Sequence, residues 1–137
     1  MKASDLFVKC LEEEGVTRIF GVPGEENADF MISLKQSKKI EFILCRHEQA
    51  AAFMADAYGR LTGKAGVCLS TLGPGVTNLM TGLADANMDR SPVVAIIGQG
   101  STNRLHKESH QIMDSISMVH PISKWAQTIL SPKNITE

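Results

Sequence analysis

The sequence predicts an α/β domain, a three-layer sandwich in which a mostly parallel sheet carries helices on both faces. Three observations carry that prediction. The apolar runs at residues 18–22, 40–45, 67–71 and 93–97 are short and continuous, as in strands covered on both sides. Between them lie segments whose apolar residues fall at helical spacing. Glycine, proline or a polar cluster punctuates the junctions. A chain of 137 residues, 43% of them hydrophobic, is one ordinary domain with enough apolar mass for a core.

In order, Leu6, Phe7, Cys10 and Leu11 mark a first helix, with Ser4 as its cap, Asp5 in its first turn and Gly15 as its stop. The first strand, 18–22, ends at Pro23-Gly24. Phe30, Met31 and Leu34 mark a second helix, and the second strand, 40–45, is closed by Arg46-His47-Glu48. A third helix runs from 49 to 61 and stops at Gly63. The third strand, 67–71, leads through Gly73-Pro74-Gly75 into a fourth helix carrying Val76, Leu79, Met80 and Leu83. Pro92 ends that stretch before the fourth strand, 93–97.

The order is therefore α-β-α-β-α-β-α-β. Residues 100–108 then read as a polar loop, 111–119 as the place of a short helix, and 124–129 as a fifth strand. Ser131-Pro132 resembles a helix start, and Glu137 comes before that helix is complete, so the expectation is a chain cut from a longer protein. Sheets of this kind bind ligands beyond the carboxyl ends of their strands. Three strands end there in polar or glycine-rich turns: 21–24, 46–48 and 71–75.

Composition removes several function classes. A formal net charge of -1 and 5% aromatic residues give no footprint for nucleic acid or an anionic membrane. No apolar run is long enough to span a bilayer, and the first residues lack the layout of a secretion signal. Cys10, Cys45 and Cys68 are odd in number and sit in apolar stretches, which reads as buried thiols in a reducing cytoplasm. No cysteine or histidine spacing suits a metal, and His106, His110 and His120 read as loop residues.

Glu48 stands where a strand ends and a helix begins. A carboxylate there complements the helix dipole and needs no further role. The neighbouring Ala50, Ala51, Ala52, Phe53, Met54 and Ala55 open another reading. In so apolar a setting desolvation favours a neutral carboxyl, which donates a hydrogen bond or shuttles a proton. Gly73-Pro74-Gly75, with Thr77 and Asn78 after it, is either a tight strand-to-helix turn or a place where a ligand approaches backbone beside free N–H groups. It is neither a Walker A loop nor a dinucleotide fingerprint, for want of Lys-Ser/Thr or a third glycine. Ala51, Ala55 and Gly59 form a small-residue stripe, suited to packing on the sheet or against a second subunit.

In order, 20–24, 46–51, 55–60, 63–67, 73–78, 82–86, 92–98 and Gln111 resemble the pyrimidine-binding domain of the acetolactate synthase and pyruvate oxidase family of thiamine diphosphate enzymes. The resemblance covers nearly the whole chain, and the order and spacing of these short motifs make it specific. It implies that Glu48 hydrogen-bonds a ring nitrogen of the cofactor's aminopyrimidine and favours the imino tautomer. That tautomer takes the proton of the thiazolium carbon, and the cofactor then serves as electron sink in decarboxylating a 2-keto acid such as pyruvate. It implies that Pro23 and Gly24 flank the pyrimidine, that Thr71, Gly73, Pro74 and Asn78 line the pocket opposite, and that Gln111 lies near the thiazolium and substrate.

Two departures stand out. Glu25, Glu26 and Asn27 replace the small residues of many biosynthetic synthases, and His110 precedes Gln111 where those carry Phe. The stretch 110–114 looks closer to catabolic acetolactate synthases. In this family Mg2+ and the diphosphate bind a separate domain marked by Gly-Asp-Gly, which this sequence lacks. The site forms between subunits, so a homodimer or homotetramer is expected, and this fragment alone is expected to be inactive. The alternatives are a related 2-keto acid decarboxylase or oxidase module, and a non-catalytic assembly domain that keeps the fold.

Overall fold

The computed structural model describes residues 1–105 and 107–137, so the reading of His106 lies outside the described residues. The elements follow the expected alternation: α1 Ala3–Glu13, β1 Arg18–Gly21, α2 Ala28–Gln36, β2 Glu41–Leu44, α3 Glu48–Thr62, β3 Gly66–Ser70, α4 Pro74–Met88 and β4 Val93–Ile97. Every strand pair is parallel, in the order β2-β1-β3-β4. Phe20 of β1 lies opposite Ile43 on one side and Cys68 on the other.

Successive strand residues point to opposite faces, and this builds the two outer layers. Ile19, Val67 and Leu69 pack with Val8, Leu11, Phe30 and Leu34 of α1 and α2. Phe20 and Cys68 pack with Ala51, Ala52, Ala55 and Leu79 of α3 and α4. β3, central in the sheet, is buried along its whole length. β2, at the edge, exposes Glu41 and Leu44, so its continuous apolar run overstates its burial.

The caps show which local signals hold. Gly63 ends α3 in the left-handed region at φ 69°, where glycine meets no Cβ penalty. α1 begins one residue before Ser4, and the Lys2 N–H donates to the Asp5 carboxylate at 3.1 Å. Ser4 is thus no cap; its hydroxyl lies in hydrogen-bond contact with that of Ser33 of α2 at 2.8 Å, while Ser33 donates to Asp5 Oδ1 at 2.7 Å.

The small-residue stripe of α3 is consumed inside the chain. Ala51, Ala55 and Gly59 are buried. A Cβ on Gly66 would stand 1.9 Å from the Ala55 carbonyl oxygen, and one on Gly59 would stand 2.5 Å from that of Pro92. The stripe therefore lets α3 settle on β3 and on the entry to β4, the first of the two readings that its spacing left open.

The expected strand at 124–129 does not form. Among the described residues the segment has no ladder partner, and Trp125 and Ile129 are exposed. β-prone composition marks a strand only where a neighbour offers backbone hydrogen bonds. The expected short helix is α5, Ser115–Val119, opened by the Asp114 side chain accepting from the Ser117 N–H. His110 lies in a turn, as expected, but His120 opens a 3-10 turn, His120–Ile122. Ser131 caps the 3-10 turn Pro132–Asn134 by accepting from the Lys133 N–H. Cys45 and Cys68 are buried thiols, while Cys10 is only half-buried.

Candidate functional site

Parallel strands deliver their carboxyl ends to one edge of the sheet, and the polar turns meet there. After β1, the Gly24 N–H donates to Asn27 Oδ1 at 2.9 Å, which holds the turn that contains exposed Pro23. Gly24 is pressed against Thr71 just beyond β3: a Cβ there would lie 2.5 Å from that of Thr71. Gly73, at φ 57°, lies against Gln111, and its Cβ would stand 2.5 Å from the Gln111 carbonyl oxygen. A Cβ on Gly75 would meet Thr71 Cγ2 at 3.1 Å and Glu48 Oε1 at 3.5 Å.

Glu48 is the first residue of α3. His47 caps that helix by accepting from the Gln49 N–H at 3.1 Å. The Glu48 side chain turns instead towards α4 and is buried, with 8% of the residue exposed. Its Oε2 accepts from Asn78 Nδ2 at 2.9 Å. Oε1 makes no hydrogen bond among the described residues and lies on the Gly75 side. The structure thus brings Gly24, Thr71, Gly73, Glu48, Asn78 and the Gln111 backbone to one end of the sheet. Pro74 sits exposed at the first position of α4. The Gln111 side chain is exposed, on a backbone at φ 56°.

Of the two readings of 73–75, the one with free N–H groups at the start of α4 does not hold. The Gly75 N–H donates to Leu72 O, and those of Val76 and Thr77 donate to Gly73 O. Pro74 has no N–H to offer. The glycines of this turn serve close approach, and the helix start is no vacant anion site.

Comparison with known proteins shows the family. Residues 1–118 match the family model described as thiamine pyrophosphate enzyme, N-terminal TPP binding domain. The chain belongs to that family. It is 46% identical to an acetolactate synthase of Bacillus subtilis (strain 168) over 136 residues, 99% of this chain and 24% of that protein. It is 45% identical to a probable acetolactate synthase large subunit of Methanocaldococcus jannaschii over 137 residues, 100% of this chain and 23% of that one. A catabolic acetolactate synthase of Raoultella terrigena is 45% identical over 134 residues, 98% of this chain and 24% of its own. The chain thus spans about a quarter of the length of these relatives.

The site suits the aminopyrimidine that membership of the thiamine pyrophosphate family implies. It offers a buried carboxylate with one free oxygen, beside a glycine whose missing side chain leaves room against that oxygen. Among the described residues no cluster of His, Cys, Asp or Glu could hold a metal ion.

Two contributors escaped the motif reading. Asn27 braces the Gly24 turn, although 25–27 read only as a departure from the family pattern. Arg104, in the polar loop before Gln111, pairs with Glu26 at 3.1 Å and so ties that loop to the β1 turn. Nothing in the sequence signals that pair, because the two residues are 78 apart in the chain. Two surface depressions lie outside this turn cluster. One is apolar, between α2 and β2, and the other lies beside the α3 start, lined by His47, Gln49, Ala50 and Phe53.

Proposed function

We propose that this chain is the pyrimidine-binding domain, residues 1–137, of a thiamine diphosphate-dependent acetolactate synthase-like enzyme. In this reading it supplies the carboxylate that activates the cofactor. The observation that carries it is Glu48: buried at a strand-to-helix junction, held at Oε2 by Asn78, and bare at Oε1 beside Gly75. Bound thiamine diphosphate would supply the electron sink for decarboxylating pyruvate and joining the two-carbon unit to an acceptor. Glu48 holds and exchanges the proton at the ring nitrogen. Pro23, Gly24, Thr71, Gly73, Pro74 and Asn78 shape the pocket around it, and Gln111 faces the reacting end.

Mg2+ and the diphosphate are assigned to a separate domain, contributed by a second subunit of a homodimer or homotetramer. The outer face of α3 supports such an assembly, since Ala50, Phe53, Met54, Ala57 and Leu61 follow one another at helical spacing and are exposed. The cytoplasm is the proposed location. Among the described residues no helix is long and apolar enough to cross a membrane.

The test is acetolactate formation from pyruvate with thiamine diphosphate and Mg2+, using full-length protein and its Glu48→Gln variant. The expected result is an active parent and a variant slowed about a hundredfold or more, the range typical for loss of a positioned acid–base group. A parent that binds the cofactor but leaves pyruvate untouched would move the substrate assignment to another 2-keto acid. Failure of both proteins to bind the cofactor would leave a non-catalytic assembly domain.

A further inference from the structure

Glu48 and Asn78 belong to a longer contact. On α3, Glu48, Ala52, Asp56 and Arg60 recur every fourth residue and so share one face. On α4, Asn78, Gly82 and Asp85, with Asp89 at its C-cap, follow at steps of four, three and four residues and likewise share one face. The two faces meet rung by rung. Asn78 bonds Glu48 at 2.9 Å. Gly82 lies so close to α3 that a Cβ on it would stand 2.5 Å from that of Ala52. Arg60 reaches across from α3 to Asp85 at 2.9 Å and also to Asp89, while its own helix supplies Asp56. Two parallel helices are thereby held in register along their length.

We infer that Asn78, beyond its place in the pocket, is a positioning residue, which acts on proton exchange through Glu48 and decides which carboxylate oxygen of Glu48 exchanges the proton. This rests on the reading of Glu48 as the activating group. A side-chain amide nitrogen donates and cannot accept. The Asn78 N–H therefore occupies Oε2, and a proton carried by Glu48 sits on Oε1, the oxygen on the Gly75 side. The register of α3 on α4 keeps that choice from drifting, because Asn78 cannot move along α3 without moving Gly82 off Ala52.

The experiment is a double-mutant cycle in the full-length protein loaded with thiamine diphosphate and Mg2+. NMR follows deuterium exchange at the cofactor's thiazolium carbon, alongside cofactor Kd and thermal midpoint. Asn78→Ala should slow exchange about tenfold, as expected for losing a hydrogen bond to a charged group. In the Glu48→Gln background the same change should matter less than about twofold, because coupled residues do not add. Asn78→Asp keeps the shape but replaces the donor, and should slow exchange at least as much as alanine; it decides the matter should the alanine variant not fold. Equal losses in both backgrounds would overturn the inference and leave Asn78 acting as pocket lining alone, independently of Glu48. So would unchanged exchange in both Asn78 variants. If Glu48→Gln alone leaves exchange unchanged, the reading of Glu48 fails first and the inference falls with it.

Discussion

The amide of Asn78, fifth residue of α4, donates to the carboxylate of Glu48, first residue of α3, across a 2.9 Å gap between two helices that lie on the same face of the sheet. The bond joins the two strand-to-helix junctions from which the site is built. It exists because α3 and α4 run side by side in register, and that register depends on small residues where the helices touch.

Gly82→Ala should separate the two helices. The new Cβ would stand 2.5 Å from Ala52 Cβ and 3.0 Å from the Phe53 nitrogen. Overpacking of this kind costs about 1–3 kcal/mol. Urea unfolding should show that loss, and cofactor affinity in the full-length protein should fall with it. Adding Ala52→Gly should recover part of both, because it removes the nearest clashing atom but leaves the backbone contact.

Gly73→Ala combines two penalties that Gly15→Ala separates. Both glycines have positive φ, 57° and 77°, but only Gly73 has a neighbour in the way, the Gln111 carbonyl oxygen at 2.5 Å. Gly15→Ala should cost about 1–2 kcal/mol from backbone conformation alone. Gly73→Ala should cost more in the same urea experiment and should displace Gln111, lowering turnover in the full-length enzyme. Equal costs would mean that the Gln111 contact is slack.

The Arg60 clasp should give the domain an acid-side dependence. The Arg60 guanidinium, first among several causes, holds the buried Asp56 carboxyl below its ordinary 3.8. A carboxyl lowered by folding contributes stability above its unfolded value and loses it as pH falls through the folded value. Arg60→Met should therefore lower the urea midpoint at pH 7, and the gap to the parent should narrow steadily below pH 4. A gap that stays constant to pH 2 would show that Asp56 is not the group involved.

The three cysteines should separate by reactivity. Burial pushes the Cys68 thiol up to about 12 and also raises that of Cys45. Cys10 is only half-buried. A thiol reagent at pH 8 should label Cys10 first. Cys68 should react on the order of a thousandfold more slowly than an open thiol, until denaturant is added. Fast labelling of Cys68 in native protein would contradict a closed core between the sheet and α3.

Much of the fold was legible because local chemistry specifies it. The strand runs at 18–22, 40–45, 67–71 and 93–97 each overlap an observed strand, and Gly63 stops α3 where its positive φ requires. The run at 124–129 misled because its pattern reports β propensity, whereas a strand needs a partner. The stripe of Ala51, Ala55 and Gly59 shows the same limit. Its spacing said that something comes close and left open whether that was this chain's own backbone or another's.

By itself, the sequence determined the alternation of helices and strands, the turns that punctuate them, and a carboxylate at residue 48 beside small apolar groups. These follow from hydrophobic period, glycine and proline geometry and residue type, which act over a few residues. Tertiary structure alone decided the strand order β2-β1-β3-β4, the meeting of Gly73 with Gln111, and the pairing of Asn78 with Glu48 from 30 residues away. Periodicity says which face of an element avoids water. Only packing says what covers it, since close approach and hydrogen bonding depend on distances set by the whole chain at once.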